Sequence, residues 1–204
     1  TGEARQFGRA AWTEHAVAVL DTLGVDRVDV VGNSMGGAVS LSLAAAVPDR
    51  VRRVVAMGSV GIAMPLPPGL DEVWGYTPSL EGMERIVRLF TDDEKLITGD
   101  LIRMRYEAST NPRVRGSWEA MFPAPRQRWV DDLALSHAEL AGLRQPVLLI
   151  HGRDDRIIPL ATSALPLLNV LTDVELHVFS GCGHWTMIER TPQFVSQVSD
   201  FLGR

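Results

Sequence analysis

At 204 residues the chain is long enough for one domain with a sizeable core. Apolar residues make up 46% and charged residues 22%, which argues against disorder. A formal net charge of −5, with no Lys/Arg tract, argues against nucleic acid or an anionic membrane surface as a partner.

The N-terminus, TGEARQFGRA, has no hydrophobic stretch behind a basic flank and does not read as a secretory leader. No apolar run approaches the roughly eighteen residues that span a bilayer. Ala11 to Leu23 carries apolar residues at helical spacing (Ala16, Val19, Leu20, Leu23), and Gly24 is a plausible stop. Val28, Val30 and Val31 form a β-branched run ending at Gly32, as a buried strand would. AVSLSLAAAVP reads as a helix closed by Pro48, and RVRRVVAMGS as a second buried strand, so the first third is a parallel strand–helix–strand unit.

From about residue 62 to 140 the texture changes. Pro65, Pro67 and Pro68 interrupt the pattern, and helices are expected at about Leu80–Phe90, Asp100–Ala108 and Pro112–Met121, with no central strand. The sheet resumes with PVLLIHG, a helix at Thr162–Leu171, the strand VELHVFSG and a closing helix at Thr191–Leu202. The organisation expected is α/β core (1–61), helical cap (62–140), α/β core (141–204).

Gly32-Asn33-Ser34-Met35-Gly36 matches G-x-S-x-G at a strand-to-helix junction, where a nucleophile elbow exposes its serine. The plainer alternative, a glycine-rich turn cradling a phosphate, lacks both the G-x-G-x-x-G spacing and a P-loop lysine. A serine nucleophile needs a base, and the base needs a partner. Of five histidines, His15 lies on an early helix, His137 in the cap, and His151 and His177 within strands. His184 follows a strand in the loop GCGHW, at the carboxyl end of the sheet where α/β sites gather. The acid should lie between serine and histidine in the chain. HGRDDRIIP offers Asp154 and Asp155, and spacing does not separate them. Met35 would supply one oxyanion amide; the loop that normally supplies the second lies upstream of the first residue, so N-terminal strands of the usual sheet are expected to be missing. Cys182, the single cysteine, excludes an internal disulfide, fits a cytoplasmic setting, and reads as structural.

With GNSMGG, GLDEVWGYTPS, RYEAS, MFPAPRQRWVD, HGRDDRIIP and HVFSGCGHW in view, the chain resembles the meta-cleavage product hydrolases, α/β-hydrolases that cut carbon–carbon bonds in aromatic degradation. Among them it is most similar to the 2-hydroxymuconate semialdehyde hydrolases. The resemblance implies the α/β-hydrolase fold with a helical cap, Asp155 as the acid, Arg105 as the substrate-carboxylate anchor (Arg103 is the lesser candidate), and Asn33 and Trp185 at the polar end of the pocket. It implies a dienoate substrate, possible homo-oligomers, and no metal or organic cofactor. Met64, Leu66, Trp74, Met83, Phe122 and Trp129 suggest a greasy pocket or, more simply, cap core. The rival readings are a carboxylesterase on the same fold, a non-catalytic binding module, and an inactive truncated hydrolase fragment.

Overall fold

The computed structural model describes residues 7–204; residues 1–6, with most of the N-terminal stretch read above as carrying no leader, lie outside it. Four strands, β1 (Val28–Asn33), β2 (Val51–Met57), β3 (Val147–Gly152) and β4 (Val174–Phe179), form one sheet in the order β1-β2-β3-β4, every pair parallel. Helix α1 (Arg9–Leu23) precedes β1, α2 (Met35–Ala46) links β1 to β2, and α9 (Ala164–Val170) links β3 to β4. After β4 come α10 (Thr186–Glu189) and α11 (Thr191–Gly203).

Both faces of the sheet are covered, which is why β2 and β3 read as continuous apolar runs. Val54 and Ala56 of β2, with Val147 and Leu149 of β3, pack against Leu41 and Leu43 of α2 and Leu167 of α9. Their neighbours Val55, Met57, Leu148 and Ile150 point the other way, onto Phe201 of α11 and Cys182.

The buried strand expected at Val28–Val31 is corrected: β1 pairs only with β2 among the described residues, and Val31 is 47% exposed. With one strand neighbour and no helix over Val31, its alternate side chains have nothing to bury against. On α1 the packed residues are Ala16, Val17 and Leu20, whereas Val19 and Leu23 face solvent. Gly24 ends α1 in the left-handed conformation (φ 63°), as a glycine stop should.

Between β2 and β3 lie only helices: α3 (Pro68–Trp74), α4 (Leu80–Phe90), α5 (Gly99–Thr110), α6 (Pro112–Met121), α7 (Gln127–Leu133) and α8 (His137–Ala141), besides one short 3-10 turn. Helices α4 and α6 match the expected ranges, and α5 starts at Gly99, where Thr98 caps it by accepting from Leu101 N–H, and runs on to Thr110. Helix α3 was not expected: Pro68, read as an interruption, occupies its first turn, where a missing N–H costs nothing. Helix α8 was also missed, although Ser136-x-x-Glu139 forms a reciprocal capping box.

Trp74 stacks on Phe122 (4.5 Å, 6°), and Trp118 and Trp129 meet Phe122 edge-on. This cluster also takes in Met64, Met83, Leu70 and Val130, and runs on into Ala38, Val60, Ile157, Ile158 and Trp185 from the sheet side. The helical segment is therefore glued to the carboxyl-end loops of the sheet by one apolar core. Each fully buried side chain of this size contributes about 1.5–3 kcal/mol.

Candidate active site

Ser34 sits between the last residue of β1 and the first of α2, with φ 58° and ψ −120°. It is the one non-glycine residue at positive φ among the described residues, at a cost of about 1–3 kcal/mol. Close packing enforces the bend. A Cβ at Gly32 would meet the Gly36 carbonyl oxygen at 2.1 Å, and one at Gly37 would meet Ser59 Oγ at 2.2 Å. Gly36 has open space around it, so the motif's second glycine is not sterically required here. Ser34 N–H and the Asn33 side-chain amide both donate to Met57 O (2.8 and 3.2 Å), tying the elbow to the end of β2. Met35 opens α2, so its N–H is among those with no acceptor inside the helix.

The two candidate acids separate cleanly. Asp155 is buried beyond β3; its Oδ1 accepts from Ile157 and Ile158 N–H (2.9 and 2.8 Å), and its Oδ2 accepts from His184 Nδ1 at 2.7 Å. Asp154 turns away, accepting from Gly181 N–H and pairing with Arg153. Because the carboxylate can only accept, His184 carries its proton on Nδ1 and leaves the Nε2 lone pair free. Nε2 is buried and has no hydrogen-bond partner, so the bond to Ser34 Oγ is not closed in this structure. Such bonds are often long in unliganded sites and tighten with substrate.

His151 lies at the foot of this pair. Its Nε2–H donates to Ile158 O (2.7 Å) and stands 3.5 Å from Asp155 Oδ2. Burial, the larger effect, pushes its pKa down against the attraction of Asp155, so the ring is a neutral brace for the aspartate turn. Gly58, which sequence reasoning passed over, has φ 45°; a Cβ there would press on His184 Nδ1 at 2.8 Å and Asp155 Oδ2 at 3.1 Å. A glycine directly after a buried strand was the available signal.

Arg105 is half-buried on α5, with its guanidinium 4.8 Å above the Trp185 ring and 5.5 Å from Phe90. Burial holds its pKa below the ordinary arginine value, and its Nε has no partner. A guanidinium stays charged under such a shift, so this is a cation held against aromatic faces with donors to spare. Trp185 is buried and stacked on Phe90 at 4.7 Å. Arg103, by contrast, is exposed. Arg105 and Phe90 also line a cavity of about 410 Å³ between α4, α5 and α6, walled by Met83, Ile86 and Trp118; neither Ser34 nor His184 lines it. Cys182 is fully buried with its thiol pushed up to about 12, by burial first and Glu189 next, which disarms it as a nucleophile.

Among the described residues, no group of His, Cys, Asp and Glu side chains is placed to hold a metal and no helix is long and apolar enough to cross a membrane.

The chain matches the α/β-hydrolase fold family over residues 6–191. It is 50% identical over 197 residues to a 2-hydroxymuconate semialdehyde hydrolase of Pseudomonas sp. (strain CF600), covering 97% of this chain and 69% of the relative. A 2-hydroxy-6-oxo-2,4-heptadienoate hydrolase of Pseudomonas putida is 48% identical over 96% of this chain and 71% of its own length. Among solved structures, the meta-cleavage product hydrolase CumD of Pseudomonas fluorescens IP01 superposes with a TM-score of 0.96 at 40% identity, over 99% of this chain and 74% of that one. A 2-hydroxy-6-oxo-6-phenylhexa-2,4-dienoate hydrolase of Rhodococcus sp. strain RHA1 gives 0.87 at 30% identity, over 98% and 74%. On the elbow, the buried Asp–His pair, the parallel sheet with its helical insertion and these likenesses, the chain belongs to the meta-cleavage product hydrolases of the α/β-hydrolase fold family.

Proposed function

We propose that the chain hydrolyses the carbon–carbon bond of 2-hydroxy-6-oxo-hexa-2,4-dienoate-type ring-cleavage products, with Ser34, His184 and Asp155 as its catalytic set. The observation that carries the reading is the half-buried Arg105 cation: it pairs with no carboxylate among the described residues and lies on Trp185, next to the base. A neutral ester gives such a charge nothing to bind, whereas a dienoate carboxylate fits its planar fork.

In this reading Arg105, lying on Trp185, holds the carboxylate end, and Asn33 belongs to the polar end of the pocket. His184 carries the proton that converts dienol to ketone, making the C5–C6 bond cleavable. Ser34 Oγ then attacks the C6 carbonyl while His184 Nε2 takes its proton, and Met35 N–H stabilises the oxyanion. Collapse breaks C5–C6, the pair of electrons leaves as the dienolate and picks up a proton, and the acyl group stays on Ser34. Water, deprotonated by His184, releases the acid: formate when C6 bears hydrogen. Asp155 fixes the tautomer and stabilises the imidazolium throughout. The helical segment 62–140 acts as the cap over this site, and the enzyme works without a metal or organic cofactor.

Loss of the yellow colour of 2-hydroxymuconate semialdehyde tests the reading, with Ser34→Ala as the silent control. Arg105→Ala is expected to cut kcat/KM for the dienoate by about thirtyfold or more, the scale for losing a desolvated charge pair, while small neutral esters turn over as before. Equal losses on both substrates would favour a carboxylesterase instead.

A further inference from the structure

The loop carrying His184 is held from outside the sheet. His184 N–H and Trp185 N–H both donate to Phe90 O (2.8 and 3.2 Å), a carbonyl at the end of α4 with no partner inside that helix. The Phe90 ring lies 5.5 Å from the His184 ring, tilted by 57°. Both the backbone and the ring of the base therefore take their position from the turn that follows α4.

One carboxylate fixes that turn. Glu189, on α10, accepts from Gly183 N–H through Oε1 (2.9 Å) and from Asp92 and Asp93 N–H through Oε2 (2.9 and 3.3 Å). One oxygen thus holds the residue before the base, and the other holds the turn against which the base is braced. The joint has no slack: a Cβ on Gly183 would stand 2.9 Å from Phe90 O and 3.1 Å from Asp92 N. Arg156, next to Asp155, grips the same turn through Arg88 O (3.1 Å) and Asp92 Oδ1 (2.9 Å), so the segment from Arg88 to Asp93 meets both the acid loop and the base loop.

We infer that Glu189 is a positioning residue for the base: its carboxylate locks the His184 loop to the α4 turn and so sets where His184 Nε2 points. The inference rests on His184 being the base proposed above. An ionised carboxylate suits the position because it offers an acceptor on both sides and no donor. Glutamine cannot do the same, since its NH₂ must face either the Gly183 N–H or the Asp92 N–H.

The test is Glu189→Gln in the full chain, read first without substrate. The His184 Nδ1–H proton, hydrogen-bonded to Asp155, gives a far-downfield NMR resonance. It is expected to shift upfield or broaden in Glu189→Gln while the native fold, followed by near-UV circular dichroism, persists. With a neutral ester, kcat should fall by about tenfold or more, with KM changed less than twofold because Glu189 lines no part of the cavity between α4, α5 and α6. In Glu189→Ala, added formate should restore part of kcat in a saturable way by filling the vacated carboxylate position. An unchanged resonance, or kcat within twofold of the parent in folded Glu189→Gln, overturns the inference, as does the absence of formate rescue. The resonance and the ester assay do not depend on carbon–carbon cleavage, so failure on the dienoate alone would count against the substrate assignment and leave Glu189 in its role.

Discussion

At the scale of single residues, the site is made by close approaches as much as by reactive groups. Gly58 is the clearest case: its missing side chain leaves the space in which His184 Nδ1 and Asp155 Oδ2 meet, and its φ of 45° is one few other residues tolerate. Gly58→Ala is expected to lower kcat by about a hundredfold, as displacements of about 1 Å do, with the fold retained; steady-state kinetics beside a melting curve checks it. Cys182 is predicted to be silent. Its folded value of about 12 lies above the ordinary 9.0, so the native thiol stays protonated where a free thiol ionises, and native protein should react with a thiol reagent at pH 9 far more slowly than unfolded protein. The same shift makes the thiol a drain on stability as pH climbs from 9 towards 12. Ser34 and His184 were legible because strand–G-x-S-x-G–helix and a histidine after the last strand are local patterns. Asp154 and Asp155 were not separable, because adjacent carboxylates differ only in which way the turn points them. Phe90 and Glu189 left no signal, since the contacts that tie the α4 turn to the histidine loop join residues 94 to 97 apart in the chain, and only the Glu189–Gly183 bond is local.

At the scale of elements, length more than capping decided which helices the sequence disclosed. Helices α4 and α6 start at a serine or a proline and were placed to the residue, whereas α3 and α8 are short and carry too few turns for a periodicity to show. Glu139 of α8 shows what a cap does in this chain. Its carboxylate closes the capping box with Ser136 and pairs with Arg9 of α1, and Arg9 first, Ser136 next, hold its pKa down to about 2 against 4.5. A depressed carboxylate contributes fully above the unfolded value and is lost as pH falls through the folded one. The α1–α8 tie should therefore weaken between pH 4.5 and 2. Glu139→Ala is expected to cost about 1 kcal/mol at neutral pH, mostly from the lost cap because the pair is solvent-facing, and nothing below pH 2; thermal melts of both proteins across that range measure it.

At the scale of the whole molecule, the cluster that joins the helical segment to the sheet loops makes them one cooperative body. Leu70→Ala in α3, at 1% exposure, should cost about 2–5 kcal/mol and lower a single unfolding transition seen alike by far-UV and near-UV signals. Two separated transitions would show instead that the helices melt on their own. The four-strand order has a further consequence for how such enzymes could be recombined. Ser34, Asp155 and His184 leave the sheet at β1, β3 and β4, while the helices enter after β2, so a crossover after β2 and another before β3 would exchange the helical segment with its proposed anchor Arg105 and leave the proposed Ser34–His184–Asp155 set intact. Such a chimaera would nonetheless inherit a foreign 88–93 turn against its own histidine loop. The exchange should succeed only between parents whose turns are interchangeable, however well their pockets match the new substrate.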